Sequence, residues 1–122
     1  MTMPDERMRA LRWAHELLRE LPSDPELPEA LSAQGKILAS SFPSQDDLAQ
    51  LLITFDSARA ACYANAIESV GELFQMIQAA PGASQQTRRA LLYTLRHYPL
   101  GHHACSALRL GGEALDQWID LE

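Results

Sequence analysis

An all-α fold, a compact bundle of five to seven helices with prolines marking the joints, is what this sequence predicts. Composition is the first reason: 19 Leu and 18 Ala stand against one Val, five Ile and four Thr. Leu and Ala are the strongest apolar helix formers, whereas β-branched residues favour strands. Periodicity is the second, because apolar residues recur at three- and four-residue spacing along several stretches. Punctuation is the third: prolines and glycines gather between those stretches. With 122 residues, 47% of them apolar, the chain makes one domain, residues 1–122. That length buries enough surface to fold without a metal or a disulfide.

The first helix is expected from about Pro4 to Leu21. Thr2 would cap it with Asp5 three residues on, and Pro4 suits a first turn. Ala10, Leu11, Ala14, Leu17, Leu18 and Leu21 form its apolar face. Pro22, Pro25 and Pro28 then make a stiff connector. A second helix opens at Pro28 and ends at Phe42, because Pro43 disfavours helical geometry there. Its expected core positions are Leu31, Ile37 and Leu38.

Ser44 and Asp47 form a second capping box. From Gln45 to Ala80 there is no proline. Leu48, Leu52, Phe55, Cys62, Ala66, Leu73 and Ile77 fit one helical face. The stretch is read as a single long helix or as two, with a break near Thr54 to Ser57, where short polar side chains compete for backbone bonds. The break is the preferred expectation. Ala58, Ala60, Ala61, Ala64 and Ala66 would let another helix approach closely, within the chain or across a homodimer. Pro81 and Gly82 interrupt next. Ser84 caps a helix running to about His97, with Leu91, Leu92 and Leu95 inward. A short helix follows to Leu110, and a last one carries Leu115, Trp118 and Ile119. The sequences Ser41-Phe42-Pro43 and His97-Tyr98-Pro99 echo each other: helix, aromatic, proline, helix.

The opening Met3-Pro4-Asp5-Glu6-Arg7, with Ala10-Leu11 and Trp13-Ala14, resembles the start of a family of short uncharacterised bacterial proteins. In that family a similar first helix is followed by Leu-Pro, a second helix and an aromatic-Pro break. Leu27-Pro28 and Phe42-Pro43 match here, so the resemblance covers about residues 1–55. It implies kinship and no activity.

Sixteen acidic and ten basic residues give a net charge of −6. That disfavours non-specific binding to nucleic acid or an anionic membrane by the chain as a whole. No uncharged apolar run approaches the roughly 18 residues of a membrane span. Two cysteines, Cys62 and Cys105, suit a cytoplasmic chain with reduced thiols, both read as small buried hydrophobes.

Charge is distributed unevenly. Between Glu72 and Glu113 there is no acidic residue, yet the stretch holds Arg88, Arg89, Arg96 and Arg109. The order helix, turn, helix over 84–110 permits a nucleic-acid reading. The plainer reading is four solvated arginines, some paired to Glu113, Asp116 or Asp120. The outer face of the first helix carries Arg9, Arg12, Trp13 and Glu16; Arg9 and Trp13 stand four apart, so the guanidinium could lie on the indole. Trp and Arg build binding hot spots, whereas the plainer role for Trp13 is to close the edge of the core. His97, His102, His103 and Cys105 are metal-ligating types, but adjacent histidines on a helix point about 100° apart. Cys105 or Cys62, activated by a histidine, is the candidate nucleophile, Cys105 lying near a helix start, without a supporting motif. No catalytic residue, cofactor or metal is therefore assigned.

The functional expectation is a small acidic protein-binding module that masks or recruits a partner protein, as immunity proteins and antitoxins do. Asp24, Glu26, Glu29, Asp46 and Asp47 would steer a basic partner and aromatics would anchor it. Partner-binding candidates are Arg9, Trp13, Asp46, Asp47, Arg88, Arg89, Arg96 and Arg109. The alternative is a nucleic-acid-binding regulator working through segment 84–110.

Overall fold

Ser57–Ala79 forms the helix around which the rest of the chain packs. The computed structural model describes residues 2–119; Met1, Asp120, Leu121 and Glu122 lie outside the described residues. Among those described there are eight α-helices and no strand. They are α1 (Pro4–Glu20), α2 (Glu29–Ala39), α3 (Gln45–Ile53), α4 (Ser57–Ala79), α5 (Gln85–Leu95), α6 (Gly101–Ala104), α7 (Ser106–Leu110) and α8 (Gly112–Trp118). A 3₁₀ turn at Leu21–Ser23 extends α1. The expected short helix ending at Leu110 is divided at Cys105, which raises the number of helices above seven.

Burial on α4 follows its spacing: Ala60, Ala64, Ile67, Val70, Leu73, Phe74 and Ile77 are fully covered. Each large side chain so buried is worth about 1.5–3 kcal/mol. α2, α5, α6 and α7 all rest on this helix, and α1 lies across α2 and α5. Ala60, Ala64 and Ala66 of the alanine stretch are buried within the chain itself. Gly71 does comparable work near the middle. A Cβ there would stand 3.0 Å from both Tyr98 and Leu100, so glycine lets the Tyr98–Leu100 turn lie on α4. The Tyr98 hydroxyl donates to the Ile67 carbonyl at 2.5 Å.

The joints obey their capping chemistry. Asp47 and Ser44 exchange backbone-to-side-chain bonds at the start of α3. Asp56 accepts from the Ala58 and Arg59 amides, so residues 45–80 form two helices broken near Thr54 to Ser57. The Ser84 hydroxyl accepts from the Thr87 amide and starts α5.

Several local expectations fail. Thr2 does not cap α1; its hydroxyl lies 3.3 Å from His97 Nδ1, and the Glu6 carboxylate accepts from the Met3 amide instead. Ile37 is 71% exposed because α2 turns Gly35, not Ile37, onto Leu21 and Leu73. Leu92 is likewise exposed, since α5 buries Thr87, Leu91 and Thr94. Phe55 sits between helices, its ring over Gly111. Cys62 is exposed, whereas Cys105 is buried.

Candidate functional site

The faces of α1 and α5 that look away from α4 meet in a groove. The two helices run antiparallel: Arg9 lies near Arg96, and Leu17 and Glu20 lie near Ala90 and Thr87. The central part has a volume of about 400 Å³ and is lined by Trp13, Glu16, Leu17, Glu20, Ala90, Tyr93 and Thr94. Leu17, Ala90 and Thr94 make its floor, because their neighbours Ala14 and Leu91 are wholly buried beneath. Trp13 and Tyr93 stand over that floor, 37% and 60% exposed.

The two ends of the groove differ in charge. At one end are Arg9 and Arg96, beside the Glu6–His97 contact at 3.1 Å. Glu6 is already occupied there, since it also accepts from the Met3 amide. At the other end are Glu20 and Asp24, with Glu16 lining the central part. Asp24 is a fixture of the fold. Its carboxylate accepts from the Thr87 hydroxyl at 2.7 Å, the Ser84 amide at 3.1 Å and the Glu26 amide at 2.9 Å. Burial pushes its pKa up, but the hydrogen bonds from Thr87, Glu26 and Ser84 outweigh that and hold it at about 2. The α1–α5 connection is thus riveted at the acidic end.

The structure brings Arg9, Trp13 and Arg96 together and separates the other candidates from them. Arg88 is spent internally: its guanidinium donates to the carbonyls of Gln78, Ala80 and Ala83. Arg109 donates to Glu68 and Asn65 on α4, both at 2.5 Å, instead of reaching Glu113 or Asp116. Asp120 lies outside the described residues. Arg89 is exposed and does not line the groove. Asp47 is committed to its cap and Asp46 stands exposed beside it in the first turn of α3. Among the described residues the cation–π pair is Arg7 over Trp118, 5.0 Å from the ring centroid, in place of Arg9 on Trp13. Arg7 also donates to the Trp118 carbonyl, and the indole N–H donates to Ala104, which pins α8 to α1 and α6.

The histidines and Cys105 do not converge. His97 pairs with Glu6 and His102 with Glu68. No group of three or more His, Cys, Asp or Glu side chains suited to a metal occurs among the described residues. The Cys105 thiol donates to the Pro99 carbonyl at 3.6 Å. Burial, then the nearby Glu68, pushes it up to about 12, the opposite of an activated nucleophile.

Glu20, Ala90, Tyr93 and Thr94 are groove residues that sequence reasoning did not single out, and Leu17 entered only as part of the apolar face of α1. A signal existed. Arg89, Tyr93 and Arg96 follow a helical i, i+4, i+7 spacing on the side of α5 opposite Leu91. No helix among the described residues is long and apolar enough to cross a membrane. No protein-family model matches this chain, and no curated protein or solved structure matches it significantly.

Proposed function

We propose that this chain is a small acidic protein-binding module, acting in the cytoplasm, whose docking face is the groove between α1 and α5. It masks or recruits its partner by covering a segment of it there. One observation carries the reading: Trp13 and Tyr93 stand half-exposed on facing helices above an apolar floor, between charged ends. Aromatic anchors beside arginines are the side chains whose burial dominates binding energy, often at 2 kcal/mol or more each, on the order of a thirtyfold change in affinity. The free thiols suit a reducing compartment.

The steering role once expected of the whole acidic set narrows. Asp24 and Asp47 are tied into caps and connectors, so Glu16 and Glu20 are the carboxylates offered at the groove. The nucleic-acid reading has its own support, since Arg9 and Arg96 flank Trp13 and Tyr93, a pairing that stacks on bases. Against it stand Glu16 and Glu20 in the same groove, the net charge of −6, and the internal use of Arg88 and Arg109.

The test is capture from the native host with wild type, Trp13→Ser/Tyr93→Ser and, as a control at an exposed α1 position that does not line the groove, Arg12→Ser, with and without nuclease. The expected result is a stoichiometric protein that survives nuclease, is retained by Arg12→Ser and is lost with the groove variant. Partners that disappear with nuclease would move the assignment to nucleic acid. Equal capture by all three proteins would remove the groove from the account.

A further inference from the structure

We infer that the segment the groove takes is an amphipathic helix of about three turns, acidic at one end and basic at the other. The inference rests on the reading of the groove as a docking face, and it names the partner's chemistry.

The walls decide the backbone form of the occupant. Both are α-helices whose main-chain groups are bonded internally. An extended peptide would find no strand edge to pair with, and its own amides would lose water without replacement. A helix satisfies its backbone itself and lays one stripe of side chains between two others. α5 has 11 residues, so the groove is about 16 Å long and accepts about 11 residues of helix. The apolar centre at Leu17, Ala90, Trp13 and Tyr93 calls for large apolar side chains at i, i+3 or i+4, and i+7.

The ends decide the charge order. Arg9 and Arg96 offer planar forks that match carboxylates. Glu20, free of the internal bonds that occupy Asp24, faces the other end, and Glu16 lines the centre on the way to it. A ligand with acid near the arginines and base near the glutamates meets opposite charge at both places. In a second copy of this chain the two long helices, α1 and α4, bury their apolar faces in the core.

Calorimetric titration of the full chain tests this with three synthetic helical peptides of about 14 residues sharing one Leu/Phe stripe. One carries Glu at one end and Lys at the other, one Glu at both ends, and one Lys at both ends. The mixed peptide is expected to bind at least about tenfold more tightly than either like-ended peptide at low salt. Arg9→Glu/Arg96→Glu, with helical circular dichroism intact, is expected to prefer the Lys-ended peptide. Equal affinity for all three, still abolished by Trp13→Ser, would overturn the charge order and leave the docking face standing. No binding of any peptide would overturn the inference; if host capture is also unchanged by Trp13→Ser/Tyr93→Ser, the docking face falls with it. A concentration-dependent dimer in sedimentation, abolished by Trp13→Ser, would overturn it in favour of a second copy.

Discussion

Asp24 shows how much a single side chain can settle. It sits in the proline connector, where its charge alone suggests a solvated carboxylate, yet it joins that connector to the start of α5 some 60 residues away. Its folded pKa of about 2 lies below the ordinary aspartate value of about 3.9. The stabilisation is therefore fully present above the ordinary value and is lost as pH falls from about 4 through about 2. Asp24→Asn is expected to cost about 1–3 kcal/mol at neutral pH. In urea unfolding, the gap between wild type and variant should close as pH approaches the folded pKa. A constant gap would mean that shape rather than charge matters. Cysteine reactivity gives a second residue-scale prediction. Ellman's reagent should label Cys62 in the native protein and Cys105 only after denaturation, because Cys105 is buried with its thiol at about 12. Cys62 falls off the α4 face that carries Ala60, Ala64 and Ile67, whereas Cys105 turns inward onto the Pro99 carbonyl, a placement set by tertiary packing.

At the scale of elements, punctuation was readable and orientation was not. The breaks at Pro22 to Pro28, Phe42-Pro43, Thr54 to Ser57 and Pro81-Gly82 all separate helices as their turn chemistry dictates. The aromatic-proline echo acquires a packing reason. Phe42 stacks on His15 of α1 at 6.1 Å, and Tyr98 meets Phe74 of α4 edge-on at 5.9 Å. Each aromatic closes its helix onto a different neighbour. Which face α2 and α5 would bury was misjudged at Ile37 and Leu92, because short helices with a scattered apolar pattern leave the choice to tertiary contacts. Arg88 is the instructive element-scale case. Adjacent to Arg89 in a basic run, it reads as a surface charge, but it holds the last carbonyls of α4 and the turn after it. Arg88→Ala should lower stability by about 1–2 kcal/mol, whereas Arg89→Ala should leave the melting temperature within a degree or so. Equal effects would deny the clamp. A charge reversal at Arg88 would thus unfold the α4–α5 joint and be mistaken for lost binding.

For the molecule as a whole, the charge asymmetry of the sequence is redistributed by folding. Two of the four arginines between Glu72 and Glu113 turn inward, and one of the remaining two joins Arg9 at the groove. The all-α architecture was written in composition, and a minority of the candidate site, Arg9, Trp13, Glu16 and Arg96, was named from residue chemistry. The antiparallel meeting of α1 with α5 was not, because it depends on contacts across some 80 residues of chain. Site-specific photocrosslinking tests the docking face most directly. Benzophenone-alanine is placed at Tyr93, and at Ile37 as a control that is somewhat more exposed and does not line the groove, and both proteins are irradiated in the native host. The account predicts a nuclease-resistant adduct at position 93, mapped by mass spectrometry to a helical segment of one protein and absent at position 37. Identical products at both positions, or adducts at 93 with nucleic acid alone, would contradict it.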